Sequence, residues 1–227
     1  MDAMVAKGDV TQSERSMSVT AERTVFALTF SAADCLLGVI ERALTGNKAV
    51  LIDVPKLGAV WVDPKARLYS GMILHPSEYF RTPSNAARVS HDVVAPLNSK
   101  RRPIDELLWL AGFYGSGGAL LDRGRPHDVV ELKYWPNLTR LPHLPSTMRL
   151  CALLSRSPTS ISLAYRMLHI PPQDVLQIYS AALAADMIRV VCAQPADKSV
   201  AAPAHSNRVI ERVASFWESM LNRIAGL

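Results

Sequence analysis

The sequence predicts an α+β protein made of an N-terminal helix-and-β-meander module, a three-helix module closed by a strand, and a tethered C-terminal amphipathic helix. Three observations carry this reading. Short β-branched runs between residues 49 and 73 are punctuated by turn residues, as in a meander. Three helical segments follow one another between residues 148 and 187 with only brief breaks. A Pro- and Ala-rich stretch then leads into a long apolar stripe at helical spacing. With 49% apolar and 20% charged residues among 227, the chain can build a core and is not a disordered polymer. No apolar run reaches the roughly 18 to 20 residues that span a bilayer. The first residues lack an apolar core followed by a small-residue cleavage site, so secretion is not expected. Three widely spaced cysteines, Cys35, Cys151 and Cys192, suggest reduced thiols and a cytoplasmic setting.

Residues 1–23 are polar without a stripe and read as a flexible tail. Val25 to Phe30 has strand composition, and Ser31 is a candidate cap for a helix over Ala32 to Leu44, with Leu36, Leu37, Val39, Ile40 and Leu44 on one side. Gly46 and Asn47 stop it, as a left-handed terminal residue would. Ala49 to Val54 and Gly58 to Asp63 form a hairpin pattern around Pro55-Lys56-Leu57, and Ala66 to Ile73 supplies a third strand. From Leu74 to Pro103 the chain is rich in Pro, Ser, Asn and His. It reads as a long irregular excursion of functional interest, holding at most one short helix or strand. Pro103 at a first helical position starts a helix over Ile104 to Tyr114, and Gly115-Ser116-Gly117-Gly118 ends it.

Val129 to Tyr134 alternates as a strand does, and Pro142 with Pro145 marks a boundary. Helices are expected over Met148 to Ser155, Ser160 to Leu168 and Gln173 to Met187, followed by a β-rich Ile188 to Cys192. The domain reading is therefore 24–141 for the α+β module, 142–193 for the helical module, 194–206 for a linker and 207–227 for the final helix. In that last segment Val209, Ile210, Val213, Phe216, Trp217, Met220, Leu221 and Ile224 align along one stripe. Such a face must be buried somewhere, and Val213, Phe216, Trp217, Met220 and Ile224 are its expected protein-contact residues.

Residues 148–192 resemble the winged-helix family. The resemblance rests on Leu150 and Leu153 in a first helix, and on Thr159 or Ser160 capping a second that carries Leu163, Ala164 and Leu168. The turn His169-Ile170-Pro171-Pro172 follows, then Val175, Ile178 and Leu183 in a third helix, with Met187 to Val190 opening the wing. Residues 25–73 look like the helix-plus-meander modules of bacterial regulatory proteins. Together the two resemblances imply a bacterial regulatory or scaffold protein.

The net charge of +5 invites a nucleic-acid reading, but the 25 basic residues are mostly scattered. In winged helices that read DNA the third helix enters the major groove. Here that helix holds no Lys or Arg, so Gln173 and Gln177, with Arg189 in the wing, are the only candidate DNA contacts. The glycine cluster lacks the Gly-Lys-Ser/Thr ending of a phosphate loop. The histidines share no metal-ligand spacing, and no nucleophile, base and electrophile assemble, so neither enzyme chemistry, cofactor nor metal is expected. Lys100-Arg101-Arg102, just before the Ile104 helix, is the one tight basic cluster and a candidate anion site, with Asp105 and Glu106 partly neutralising it. Trp109 reads as core, Trp61 as exposed on one sheet face, and Trp135 as the seal of a domain junction.

The leading expectation is a non-enzymatic cytoplasmic regulatory or adaptor protein that contacts another protein or a second copy of itself. The alternative is a winged-helix transcription regulator on DNA, and a weaker one is a sensor of an anionic small ligand.

Overall fold

A computed structural model describes residues 28–95 and 99–193. The expected tail 1–23, linker 194–206 and helix 207–227, with Val213, Phe216, Trp217, Met220 and Ile224, lie outside the described residues. The described part mixes helix and sheet, as the sequence predicts. It opens with β1 (Thr29–Phe30) and a 3-10 turn (Ala32–Asp34) whose cap is Ser31; its hydroxyl accepts from the Ala33 N–H at 3.3 Å. The helix proper, α1 (Leu36–Thr45), starts only after Cys35. The single helix expected from Ala32 is thus broken in two. Gly46 ends α1 with φ −80°, an extended backbone and not the left-handed one expected.

The meander is where the alternation places it: β2 (Val50–Val54), β3 (Gly58–Asp63) and β4 (Leu68–Ile73). Their register is continuous, with Leu51 opposite Trp61 and Trp61 opposite Ser70. Val50, Ile52, Val54, Val60, Val62 and Tyr69 are buried, and the pleat puts their neighbours Leu51, Asp53, Ala59, Trp61, Ser70 and Met72 on the opposite face. The excursion 74–103 is more ordered than its composition suggests. It holds α2 (Pro76–Arg81), a 3-10 turn (Ser84–Ala86), β5 (Arg88–His91) and β6 (Arg102–Pro103). These strands add to both edges, giving the order β5-β2-β3-β4-β6. Sequence periodicity misses them because β5 is exposed throughout, so no buried face patterns it.

The next helix, α3 (Ile104–Ser116), ends at Gly117, whose φ of 56° is the left-handed cap that glycine suits. Pro103 is its N-cap residue, one place earlier than expected. After β7 (Leu120–Leu121), which pairs in parallel with β1, comes β8 (Val129–Leu132). Then follow α4 (Thr147–Arg156), β9 (Thr159–Ser160), α5 (Ile161–Leu168), α6 (Pro172–Ala184) and β10 (Ile188–Cys192). The three helices and the closing strand match the expected segments within a few residues. The partner of β10 is β8, in a sheet ordered β10-β8-β9. The central strand therefore comes from ahead of the helices, in a stretch assigned by sequence to the first module.

One continuous apolar core joins the two expected modules, and the boundary drawn near residue 142 runs through it. The seam is α3 on α6. Trp109, fully buried as expected, donates its indole N–H to the Pro142 carbonyl at 3.0 Å. Arg140 pairs with the buried Glu106 at 3.0 Å. Ser180, also fully buried, accepts from the Leu121 N–H and donates to the Ala119 carbonyl, both at 3.0 Å, holding β7 against α6. Trp135, expected to seal a junction, is half exposed instead.

The seam is tight at Gly112, where a Cβ would stand 2.7 Å from the Ser180 carbonyl oxygen and 2.8 Å from the Ala181 Cα. Backbone cannot give way as a flexible side chain can. Gly112→Ala is expected to cost about 1 to 3 kcal/mol in denaturant unfolding, the usual penalty for overpacking. The exposed Ser155→Ala serves as control, and equal stability of the two variants would show that the seam is loose.

Thiol chemistry offers a second check. Cys35 and Cys151 are buried and Cys192 is exposed, and all three are free. Burial pushes the Cys151 thiol up to about 11 from its ordinary 9.0 and raises Cys35 as well. A chromogenic thiol reagent at neutral pH should titrate Cys192 alone in the native protein, and all three after denaturation. The folded state holds these protons more tightly than the unfolded one. Their contribution to stability is therefore intact below pH 9.0 and falls as pH rises toward about 11. Cys151→Ala should flatten that decline; an unchanged alkaline slope would count against a buried thiol.

Candidate functional site

The outward face of the five-stranded sheet mixes large and small side chains. Leu51, Trp61 and Ser70 form one cross-strand row, and Asp53, Ala59 and Met72 the next. Ala59 and Ser70 leave a depression between larger neighbours. The chain on either side of residues 96–98 crosses this face. Trp61 donates its indole N–H to the Val93 carbonyl at 2.8 Å, and Ser99 donates its hydroxyl to Ser70 at 3.1 Å. The Arg101 guanidinium lies over the Trp61 ring, 5.6 Å from its centre, a cation–π contact. Trp61 is therefore 4% exposed, although it sits on the outward face where sequence alone would leave it in water.

Beside this crossing lies a cleft of about 650 Å³, within the range of small-molecule sites. Leu51, Ala59, Met72 and Leu74 supply its apolar surface, and Met72 and Leu74 are 70% and 57% exposed. Its rim carries Lys56, Lys100 and Arg102 against a single carboxylate, Asp53. The structure thus divides the expected anion site. Arg101 is stacked on Trp61 on the outward face, Lys100 lines the cleft, and Arg102 stands opposite Tyr69, a residue of the core face. Arg102 also hydrogen-bonds Tyr69; burial raises the Tyr69 phenol and the neighbouring guanidinium opposes that rise.

At the N-terminus of α3 one donor is already taken: the Ile104 N–H donates to the Arg67 carbonyl at 3.0 Å. The two acids of the first turn have ion-pair partners of their own. Asp105 pairs with Arg67 at 3.0 Å and Glu106 with Arg140.

The candidate DNA contacts are scattered. Gln177 is half-buried and donates its amide N–H to the Phe113 carbonyl at 3.0 Å, across the seam with α3. Gln173 is exposed beside Gly118, and Arg189 on β10 is ion-paired with Glu131. Helix α6 buries Val175, Leu176, Ile178, Tyr179, Ser180, Ala181, Ala182 and Ala184, which leaves no broad face for a groove. Helices α4 and α5 are more open to solvent than α6. Met148, Leu163 and Met167 stand out as exposed apolar side chains, with Arg149, Arg156 and Arg166 exposed on the same two helices. Arg149 ties them together by donating to the Leu168 carbonyl at 2.5 Å.

The cleft escapes sequence reasoning, although one signal for it exists. Leu51, Ala59 and Met72 are the outward positions of adjacent strands, and outward apolar residues on a meander ask for a cover. Comparison with protein-family models, curated sequences and solved structures returns no match. No described helix is long and apolar enough to cross a membrane.

Proposed function

We propose that the chain is a non-enzymatic, cytoplasmic regulatory or adaptor protein that works through protein contact, with its winged-helix-like part serving as the contact module. The observation that carries this reading is the burial of α6. A DNA-reading winged helix needs its third helix free to enter a groove, yet here that helix is the inner wall of the shared core. The surface left over, on α4 and α5, combines aliphatic side chains with arginines. That composition suits hydrophobic anchoring of a partner, with charge to select it. Free cysteines accord with a reducing compartment.

The test has two arms. In anisotropy titrations at physiological salt, duplex DNA should bind weakly, without sequence preference, and less as salt rises. Nanomolar selection of one sequence motif would replace this reading with that of a transcription regulator. In cross-linking from the native host, Leu163→Glu combined with Met167→Glu should reduce recovery of the wild-type partner at least tenfold. Both positions are substantially exposed, so the melting temperature should barely move. Unchanged recovery of the same partner would remove α4 and α5 as the contact surface.

A further inference from the structure

We infer that a second pocket, on the core-face side of β4, binds a small free carboxylic acid with a compact, branched aliphatic body. The pocket follows from the way the sheet edge is built. Strand β6 pairs with β4 only at Leu68 and Tyr69, so from Ser70 to Ile73 that edge has no strand beside it among the described residues. The middle core-face position there is Gly71, opposite the buried Val60. A Cβ at Gly71 would run into the Ala59 carbonyl oxygen, so β3 and β4 lie too close for any side chain to fill the gap. Helix α2 brings Pro76 and Phe80 to this gap and α3 brings Leu110, leaving a pocket of about 220 Å³ that Ile73 also lines. Tyr69 and Ile73 alternate along β4 with Ser70 and Met72, so this pocket and the outward cleft belong to opposite faces of the strand.

The charge in the pocket is Arg102. As the ladder partner of Tyr69 it stands on the core face, half-buried, and it hydrogen-bonds the Tyr69 phenol, whose ring belongs to the core. That bond orients the guanidinium but leaves its charge unmatched. The neighbouring acid, Glu106, is held by Arg140 at 3.0 Å, and among the described residues no carboxylate pairs with Arg102 or Lys100. Lys100 also lines the pocket and adds a second cation at the sheet edge. A fixed guanidinium fork matches a planar carboxylate, which takes two parallel N–H bonds. The walls select the body of the ligand. Ile73, Pro76 and Leu110 are half-buried and aliphatic, and the Phe80 ring behind them is already stacked on Tyr114. A volume of about 220 Å³ is below the roughly 300 to 1,000 Å³ of drug-sized sites, which limits that body to a few carbons.

The probe is isocaproate, titrated into the full chain at neutral pH and followed by methyl NMR, with isohexanol, acetate and inorganic phosphate as comparators. The Ile73 and Leu110 methyl resonances should shift saturably, while those of Leu51 and Met72 in the outward cleft stay in place. Isocaproate should bind at least tenfold more tightly than each comparator. Arg102→Met, which keeps an unbranched side chain and removes the charge, should weaken isocaproate at least tenfold and leave isohexanol unchanged. Leu110→Ala should weaken the acid and the alcohol together. Met72→Ala, at a position 70% exposed on the other face, should change neither. The inference fails if no saturable shift occurs, if Leu51 and Met72 respond in place of Ile73 and Leu110, or if any comparator binds as well as isocaproate. It fails equally if either pocket variant, shown by its spectrum to be folded, binds isocaproate like the native chain. Tighter binding of an acetylated dipeptide ending in leucine than of isocaproate would also overturn it, because the pocket would then capture a chain terminus and not a free acid.

Discussion

The contact of α3 with α6 is what makes the described chain one body. Helix α3 is apolar nearly all round, with Ile104, Leu107, Leu108, Trp109, Ala111 and Phe113 buried, so it cannot stand in water alone. A helix of that kind needs neighbours on every side. The meander lies on one side of it, α2 packs on another, and α6 closes the third. The approach is tight enough to require hydrogen at Gly112, and it is reinforced where polar atoms would otherwise be stranded. Gln177 and Ser180 satisfy carbonyls and an amide at the ends of α3 and on β7. A buried amide or hydroxyl left unpaired costs about 1 to 3 kcal/mol, so these side chains also fix the register of the seam.

From this constraint follows the odd ancestry of the small sheet. With α6 committed to α3, the strand after it leaves at the far end of the helix and must find a partner there. That partner is β8, which arrives from the α3–β7 side and enters between β9 and β10. The same commitment turns α6 inward and α4 and α5 outward. Sheet topology and the choice of exposed helices thus share one cause.

Much of this was legible residue by residue. The meander could be read because Val50, Ile52, Val54, Val60 and Val62 alternate with outward residues around turn-forming Pro55 and Gly58. The helices could be read because α1, α4 and α5 carry one-sided apolar stripes. What could not be read is non-local. The pairing of Arg102–Pro103 with Leu68–Tyr69 and of Ile188–Cys192 with Val129–Leu132 leaves no trace in a window of ten residues. The same limit hides the site. Lys100, Arg101 and Arg102 are one run in sequence, yet the fold sends Arg101 onto Trp61 on the outward face and Arg102 to Tyr69 on the core face. Consecutive side chains in extended backbone point to opposite sides, so a charge run counts for less than its length suggests.

The cleft and the α4–α5 surface stand on the two sides of the seam, and the path between them is continuous. Arg102 lies in β6, β6 runs into α3 at Ile104 without an intervening loop, and α3 packs on α6. Continuity of this kind is often taken as a signalling route, but it is not one by itself. Coupling between two sites requires an element with two arrangements whose balance both ligands shift. A seam that leaves no room for a Cβ at Gly112 and is pinned by buried hydrogen bonds has one arrangement. Among the described residues the core therefore acts as a frame, setting a fixed separation between whatever occupies the cleft and whatever meets α4 and α5. A regulatory effect of a ligand on a partner would have to act where packing is least complete. That place is the outward face itself, where the chain bearing Ser99 and Lys100 is held by two side-chain hydrogen bonds and one stacked arginine.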